Sequence, residues 1–463
     1  MVLSNNDDSS SVSLVTAALS EEVATTPLIP VPENPDYIYP VSSFPALSSF
    51  DISIKYPAII APARRTSELR KSLKGLLLNR PKLKIVYTLS ETDSTPKPND
   101  SRNKYRKLLL ADRPNIFDSL ELKDLLESGE GTKGEHTVTV SYSDWTVDEV
   151  LRRMLPVTEV PSAFEIIGHL AHINLREELL PYKLLIGKVV LDKNAPRIKT
   201  IVNKIGTIDT KFRTFGMEVI AGNEEEGWSQ VTVKEESCQY LLDFRKVYWN
   251  SRLAGEHRRL VDVIRQDMRQ RRIESVVVAD LMAGIGPFAI PLTSKGYGIH
   301  VHANDLNPSS YKYLVINNKK NKCERLSCYN MDARGFCHHL QDQGVEFHHV
   351  LMNLPATAPE FLDAFRGFRG KLLPRIHVHC FGPKGCKESE KEAIDRCSAA
   401  LGTSLNVEEH DVSVHLVRDV APKKNMYCVS FNLPPAVRGL PRIQIGDHQE
   451  TEEKHDSKRT KLN

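Results

Sequence analysis

Apolar and polar positions change their rhythm about midway along the chain. Before residue 243 the pattern is mixed. His136-Thr137-Val138-Thr139-Val140 alternates as a half-buried strand does, and residues 145–155 repeat apolar positions at helical spacing until Pro156 stops them. Residues 163–180 read as a second helix ending before Pro181, and Lys188-Val189-Val190-Leu191 is rich in β-formers. Residues 55–126 hold an apolar and basic start, a short strand at Lys84-Ile85-Val86-Tyr87 and a polar break over 91–102. From residue 243 onward, strands and helices alternate. Ser275-Val276-Val277-Val278-Ala279 reads as a strand, 308–321 as a helix and His349-Val350-Leu351-Met352 as a strand. A helix then starts at Glu360, and strands follow over 375–381, 411–417 and 426–431. That order predicts a parallel sheet with an antiparallel strand at its end.

The first strand of this series runs into Asp280-Leu281-Met282-Ala283-Gly284-Ile285-Gly286-Pro287, and nineteen residues after Gly286 a second acid, Asp305, follows the next strand. A glycine turn at such a strand end, with an acid suited to a ribose diol, predicts an adenosine-containing cofactor. Asp280 opens the loop where a dinucleotide would place its pyrophosphate, so the acid favours a positively charged ligand. The pattern Asp-x-x-Ala-Gly-x-Gly resembles the first motif of class I S-adenosylmethionine-dependent methyltransferases. Further polar groups end the later strands. Asp332 is placed to accept from an adenine amino group, and Asn353-Leu354-Pro355 is similar to the Asn-Pro-Pro motifs of enzymes that methylate base nitrogens. Isolated acids after strands also serve simply as helix caps.

Length and charge narrow the setting. A chain of 463 residues accommodates roughly two to four domains. No apolar run has membrane-spanning length, so a soluble protein without a membrane partner is expected. The eight cysteines lie in the second half without paired metal-type spacing, which predicts reduced thiols and no metal site. With a net charge of only +3, nucleic acid binding has to come from a patch. Residues 245–272 offer one, with nine Lys or Arg against three acids and with Tyr248 and Trp249 interleaved; a solvated helix face is the alternative. The first 54 residues carry no Lys or Arg and resemble neither a transit peptide nor a secretory signal.

The specific resemblance rests on longer stretches. Leu351-Met352-Asn353-Leu354-Pro355-Ala356-Thr357-Ala358-Pro359-Glu360-Phe361-Leu362-Asp363 and Val247-Tyr248-Trp249-Asn250-Ser251-Arg252-Leu253 are similar to the tRNA (guanine-37-N1)-methyltransferase family, Trm5. So are His172-Ile173-Asn174-Leu175-Arg176-Glu177 and Pro181-Tyr182-Lys183, and the likeness extends over about residues 50–435. It implies an α/β protein in which a class I Rossmann-like methyltransferase domain follows a smaller α+β tRNA-binding domain. The expected segments are a flexible arm over 1–50, a small element over 51–130, the tRNA-recognition domain over 131–242, the methyltransferase domain over 243–436 and a polar tail over 437–463.

The resemblance also implies methyl transfer from S-adenosylmethionine to N1 of guanosine 37 in tRNA, which gives the residues their expected roles. N1 carries a proton in the neutral base, so the site needs a base and a cation for the charge that spreads to O6. Glu256 is expected to take the proton, Arg213 to meet O6, and Asn353 to hold the guanine. His257, Gly284, Gly286, Asp305, Leu306, Asp332, Ala333 and Asn353 are expected around the cofactor, and Pro355, Tyr248 and Arg252 around the tRNA. A monomer that grips the anticodon loop and body of tRNA is expected, cytoplasmic and nuclear with a mitochondrial pool. Two rivals remain at this point: transfer of the aminocarboxypropyl group of the same cofactor, and a tRNA-binding scaffold without catalysis.

Overall fold

The computed structural model describes residues 27–443 except 35, 96, 98–100, 162, 207–211, 213, 215, 273, 295–297 and 385–386. Internal contacts divide the chain into two compact units. One takes the chain up to Glu165 with His172–Asn203 and Val219–Gly222; the other takes Ile166–Ala171, Lys204–Glu218 and the chain from Asn223.

The first unit contains an antiparallel sheet in the order β2-β3-β1-β4, with β1 at Ile52–Pro62, β2 at Val86–Tyr87, β3 at Tyr105–Leu109 and β4 at Thr132–Val140. Helices Thr66–Ser72 and Leu120–Glu127 cover one face through Leu69, Leu122 and Leu125, which pack on Ile59 and Ala61 of β1. β4 shares nine register pairs with β1, from Ile52 opposite Val140 to Ile60 opposite Thr132. The break expected near residue 130 therefore falls inside a sheet, because β4 completes the hydrogen bonding of β1.

Two local expectations are overturned. In place of a helix over 163–180 the chain forms strands β5 (Glu165–Ile167) and β6 (Leu170–Ile173), turned at Gly168 with φ 61°, and a 3-10 segment Glu177–Tyr182. The β-formers of Lys188-Val189-Val190-Leu191 lie within the helix Lys183–Asn194, where Leu185, Ile186, Val189 and Val190 are buried at helical spacing. Period outweighs β-propensity there. Gly187 lets that helix approach closely, since a Cβ at this position would stand 2.7 Å from the Ile220 carbonyl oxygen. Strands β7 (Thr200–Ile205) and β8 (Gly216–Gly222) complete this middle stretch.

The continuous part of the second unit, from Asn223, opens with a hairpin of β9 (Gln230–Glu235) and β10 (Cys238–Asp243), ahead of the boundary expected at 243. Helix Ala254–Arg271 then leads into a sheet of order β13-β12-β11-β14-β15-β17-β16. Its strands are β11 (Val276–Asp280), β12 (Ile299–Asn304), β13 (Leu326–Tyr329), β14 (His349–Met352), β15 (Arg375–Pro383), β16 (Ser413–Ala421) and β17 (Lys424–Asn432). The first five are parallel, and β17 runs antiparallel to both β15 and β16, as the strand and helix order implied. The helix expected from Glu360 is a 3-10 segment, Ala358–Phe365.

Alternation along the strands buries both faces. Val276 and Val278 pack with Leu260, Ile264 and Phe288 on one side, while Ala279 packs with Phe336, Leu340 and Phe365 on the other. Parallel strands covered twice in this way read as continuous apolar runs, which is why Ser275 to Ala279 was legible as a strand. The chain crosses from β11 to β12 on one side and later to β14 on the other. The strand ends part at that reversal and leave a crevice. Among the described residues no helix is long and apolar enough to cross a membrane.

Phe336 is fully buried in the larger of these layers. Its replacement by Ala is expected to lower unfolding free energy by about 3–5 kcal/mol, read as a lower urea midpoint with an unchanged slope.

Candidate active site

The crevice holds a cavity of about 250 Å³. Its floor is the loop after β11. Gly284 (φ 57°) and Gly286 (φ 101°) take left-handed backbone conformations there, and a Cβ on Gly286 would come within 2.8 Å of Ile290 and 2.9 Å of Leu314. Only glycine satisfies both the angle and the space at residue 286. Gly286 thus shapes the turn without lining the cavity, whereas Gly284 lines it.

The end of β12 fastens this loop. The Asp305 carboxylate accepts from the Gly284 amide at 2.8 Å and from the Asn307 amide at 2.9 Å. Desolvation raises the Asp305 pKa, and the hydrogen bonds from these two amides and from Ser310 oppose the rise. Next to it the buried Asn304 donates to the carbonyls of Leu281 and Met331 and accepts from the Met331 amide, so one side chain joins the ends of β11, β12 and β13. Asp332 caps the helix Ala333–Asp342, its Oδ1 accepting from the amides of Arg334 and Gly335. The capping role weighed against a ligand role is thus real for one oxygen of Asp332.

Nine of the residues expected in the site line this one cavity: Tyr248, His257, Gly284, Asp305, Leu306, Asp332, Ala333, Asn353 and Pro355. His257 is fixed there by a 2.6 Å hydrogen bond between Nδ1 and Glu235 and by edge-to-face contact with Phe288. Tyr248 and Leu306 stand exposed at the cavity wall. Asn353 is set by the turn in which the Thr357 and Ala358 amides donate to the Leu354 carbonyl, and its Oδ1 is buried with no hydrogen-bond partner. Arg252 is an exposed residue outside the lining, and Arg213 lies outside the described residues.

Glu256 departs from expectation. It is 5% exposed, yet it does not line the cavity. Leu253, just before helix Ala254–Arg271, and His257 in its first turn both line the cavity, and a step of one residue along the helix swings the Glu256 side chain away from it. The carboxylate instead takes a two-pronged contact from Arg259, at 2.6 and 2.7 Å, and a 2.8 Å contact from Nε2 of the fully buried His379 on β15. Desolvation pushes the Glu256 pKa up, but Arg259 and His379 together outweigh it and hold the group down at about 2. Burial likewise lowers the His379 pKa, while Cys428 and Glu256 raise it more. Glu256 is therefore a firmly ionised, paired carboxylate and not one poised by an apolar site. Glu256, His379 and Cys428 also have ligand-type atoms within 4.8 Å of one another. With both Glu256 oxygens held by Arg259, the group reads as a charge cluster.

The basic stretch is more committed than its composition implied. Lys246 pairs with Asp243, Arg258 with Glu236, Arg259 with Glu256, Arg265 with Asp262 and Arg271 with Asp267. Much of its charge serves the fold.

The cavity chemistry suits a cationic adenosine cofactor. Asp305 and Asp332 line it, and no Lys or Arg lines the loop side among the described residues. Asp280 lies fully buried beneath the loop, so it does not touch a ligand as its position in the motif implied. Neither of its oxygens has a partner of good geometry. Desolvation chiefly, with the nearby Asp305 charge, drives its pKa up to about 8 against the Met282 amide and the His379 charge. A sulfonium and an ammonium above this acid would relieve that cost; a pyrophosphate would add to it.

Comparison with known proteins agrees with the geometry. The TRM5/TYW2 methyltransferase domain matches residues 231–401, and the TYW2 N-terminal domain matches 147–225. The chain is 51% identical over 429 residues to tRNA (guanine(37)-N(1))-methyltransferase 1 of Phaeodactylum tricornutum, spanning 91% of this chain and 95% of that protein. It is 38% identical over 425 residues to the tRNA (guanine(37)-N(1))-methyltransferase of Danio rerio, spanning 87% and 84%. The crystal structure of Trm5b from Pyrococcus abyssi shares the fold, with a TM-score of 0.54 at 24% identity over 81% of this chain and 99% of that one. With half of its residues identical to those of a relative matched over nearly its whole length, the chain belongs to the tRNA (guanine-37-N1)-methyltransferase family, Trm5.

Proposed function

We propose that this chain transfers the methyl group of S-adenosylmethionine to N1 of guanosine 37 in tRNA. The observation that carries the reading is a single cavity with acids on its loop side and the unpartnered Asn353 oxygen beside Pro355 on the other. Bound S-adenosylmethionine supplies an electrophilic methyl group. The protein supplies the rest. Asp305 offers its remaining lone pairs to the ribose diol, and Oδ2 of Asp332 is open to the adenine amino group because Oδ1 is occupied by the helix amides. Asn353 accepts from the guanine edge while the stiff Leu354-Pro355 turn holds the base in plane. Tyr248 offers a face for stacking, and Arg252 suits a phosphate outside the cavity. Arg213 keeps, by the family resemblance, its role toward O6.

Glu256 is the candidate acceptor of the N1 proton, and its surroundings set a condition. A carboxylate held near pKa 2 by Arg259 and His379 resists protonation. Proton transfer to it therefore requires the Arg259 contact to loosen and the side chain to turn toward the cavity when the base enters.

Four outcomes follow for measurement. An unmodified transcript with G37 should yield 1-methylguanosine by mass spectrometry and its A37 counterpart no product. Methylation of both, or transfer of an aminocarboxypropyl group, would overturn the assignment. Glu256→Gln should slow single-turnover methyl transfer by about 10²–10⁴-fold at unchanged cofactor affinity; a normal rate would remove Glu256 from the chemistry. Arg259→Gln should raise the Glu256 pKa, since a lowering partner is lost, and so move the acid limb of the pH–rate profile to higher pH. Finally, burial raises the Asp280 pKa to about 8, so its carboxyl should be largely protonated at pH 7 without cofactor, and a cationic ligand that lowers the pKa should release a proton on binding. Affinity should then rise with pH up to about 8 and level off, with a binding enthalpy that depends on the buffer's ionisation enthalpy. Asp280→Asn should abolish both dependences.

A further inference from the structure

Arg418 is the only Lys or Arg among the described residues lining the cavity, and its place follows from the sheet register. The Phe381 amide on β15 donates to the Pro355 carbonyl at 3.0 Å; Phe381 lies opposite Met426 on β17, and Met426 lies opposite Arg418 on β16. Pro355, Phe381, Met426 and Arg418 therefore form one row across the strands, and all four line the cavity. Two strand spacings put the Arg418 Cα about 10 Å from that of Phe381, a gap that a long side chain spans. β16 is an edge strand, and its register slips on both sides of Arg418, between Leu416 and Arg418 and again between Asp419 and Ala421. Such bulges re-aim side chains.

The half-buried guanidinium is also largely unspent. Nε donates to the Asp419 carbonyl at 3.1 Å, no carboxylate pairs with it among the described residues, and the neighbouring Asp419 carboxylate is taken by Lys384. Its two terminal nitrogens remain for a ligand with paired acceptors.

We propose that Arg418 reads the O6 and N7 edge of the acceptor guanine with a two-pronged hydrogen bond. This rests on the reading that N1 of guanine is the acceptor. As the S–CH3 bond breaks and the N1–CH3 bond forms, the N1 proton passes to the protein base; Arg418 transfers no proton. The N1 side of the base faces the methyl group, which leaves O6 and N7 along the adjoining edge. An arginine fork matches that pair of acceptors, and an adenine would present an amino group there instead. Charge that develops on O6 strengthens the contact in the transition state.

The test is single-turnover methylation by wild type, Arg418→Ala and Arg418→Lys, each on transcripts with guanosine or 7-deazaguanosine at position 37. Wild type should lose about 5- to 100-fold on removal of N7. Arg418→Ala should show a comparable loss on guanosine and no further penalty with 7-deazaguanosine, and Arg418→Lys should restore part of the rate but not the sensitivity to N7. All three should bind S-adenosylmethionine equally. An equal N7 penalty in wild type and both variants overturns the assignment, as does a wild type indifferent to N7 or an Arg418→Ala of full activity. If the alanine variant is silent on both transcripts, the lysine variant decides by the same ratio. Absence of 1-methylguanosine from the wild-type reaction would instead remove the premise.

Discussion

The Asp305 carboxylate, clamped between the Gly284 and Asn307 amides, is the contact on which the site depends. It pins a turn whose glycines hold left-handed angles, and Asn304 behind it joins three strand ends into one platform. Each charge-assisted hydrogen bond of this kind contributes on the order of 1.5–3 kcal/mol, which offsets part of the desolvation of a buried acid. The residue expected to hold the cofactor thus first holds the loop. Ligand contact uses lone pairs left over from structure, and the same division recurs at Asp332.

Behind the cavity lies a second layer of charge. Glu256, Arg259 and His379 compensate one another in a region where any one of them alone would be costly, and removal of one partner strands the others. A separate buried chain runs from Asp267 through His349 and His377 to Ser430, linking the helix Ala254–Arg271 to β14, β15 and β17. Polar groups placed so deep fix which strand sits where, since their hydrogen bonds admit one register only. Helix and sheet are therefore aligned by charge as well as by the apolar contacts of Leu260 and Ile264.

Much of the catalytic unit was legible because its signals are local. The loop after β11, Asp305, Asp332 and the Asn353-Leu354-Pro355 turn each follow a strand directly, so a strand pattern with a polar end located them. What escaped depends on distance in sequence. His379 meets Glu256 across 123 residues, and nothing in either segment announces the pairing that turns the expected base into a held carboxylate. Arg418 enters the cavity through a bulge, which spacing along a strand cannot reveal. Two opposite misreadings fall between 163 and 194: the β-branched residues at 188–191 outweighed a helical period, whereas over 163–180 a helical pattern covers two short strands and a 3-10 segment, and β4 was separated from β1 because antiparallel partners about 80 residues apart leave no shared motif.

The slipped register of β16 has one more effect. This strand closes the sheet with an open edge, and Leu416 and Val420 stand exposed on it. A flat edge carrying such side chains is a template for pairing with another chain. The two register shifts break its hydrogen-bonding repeat, and the exposed Asp419 between them, paired with Lys384, puts charge on the edge where a neighbouring strand would have to dock. The distortion that aims Arg418 inward thereby also guards the molecule against edge-to-edge aggregation.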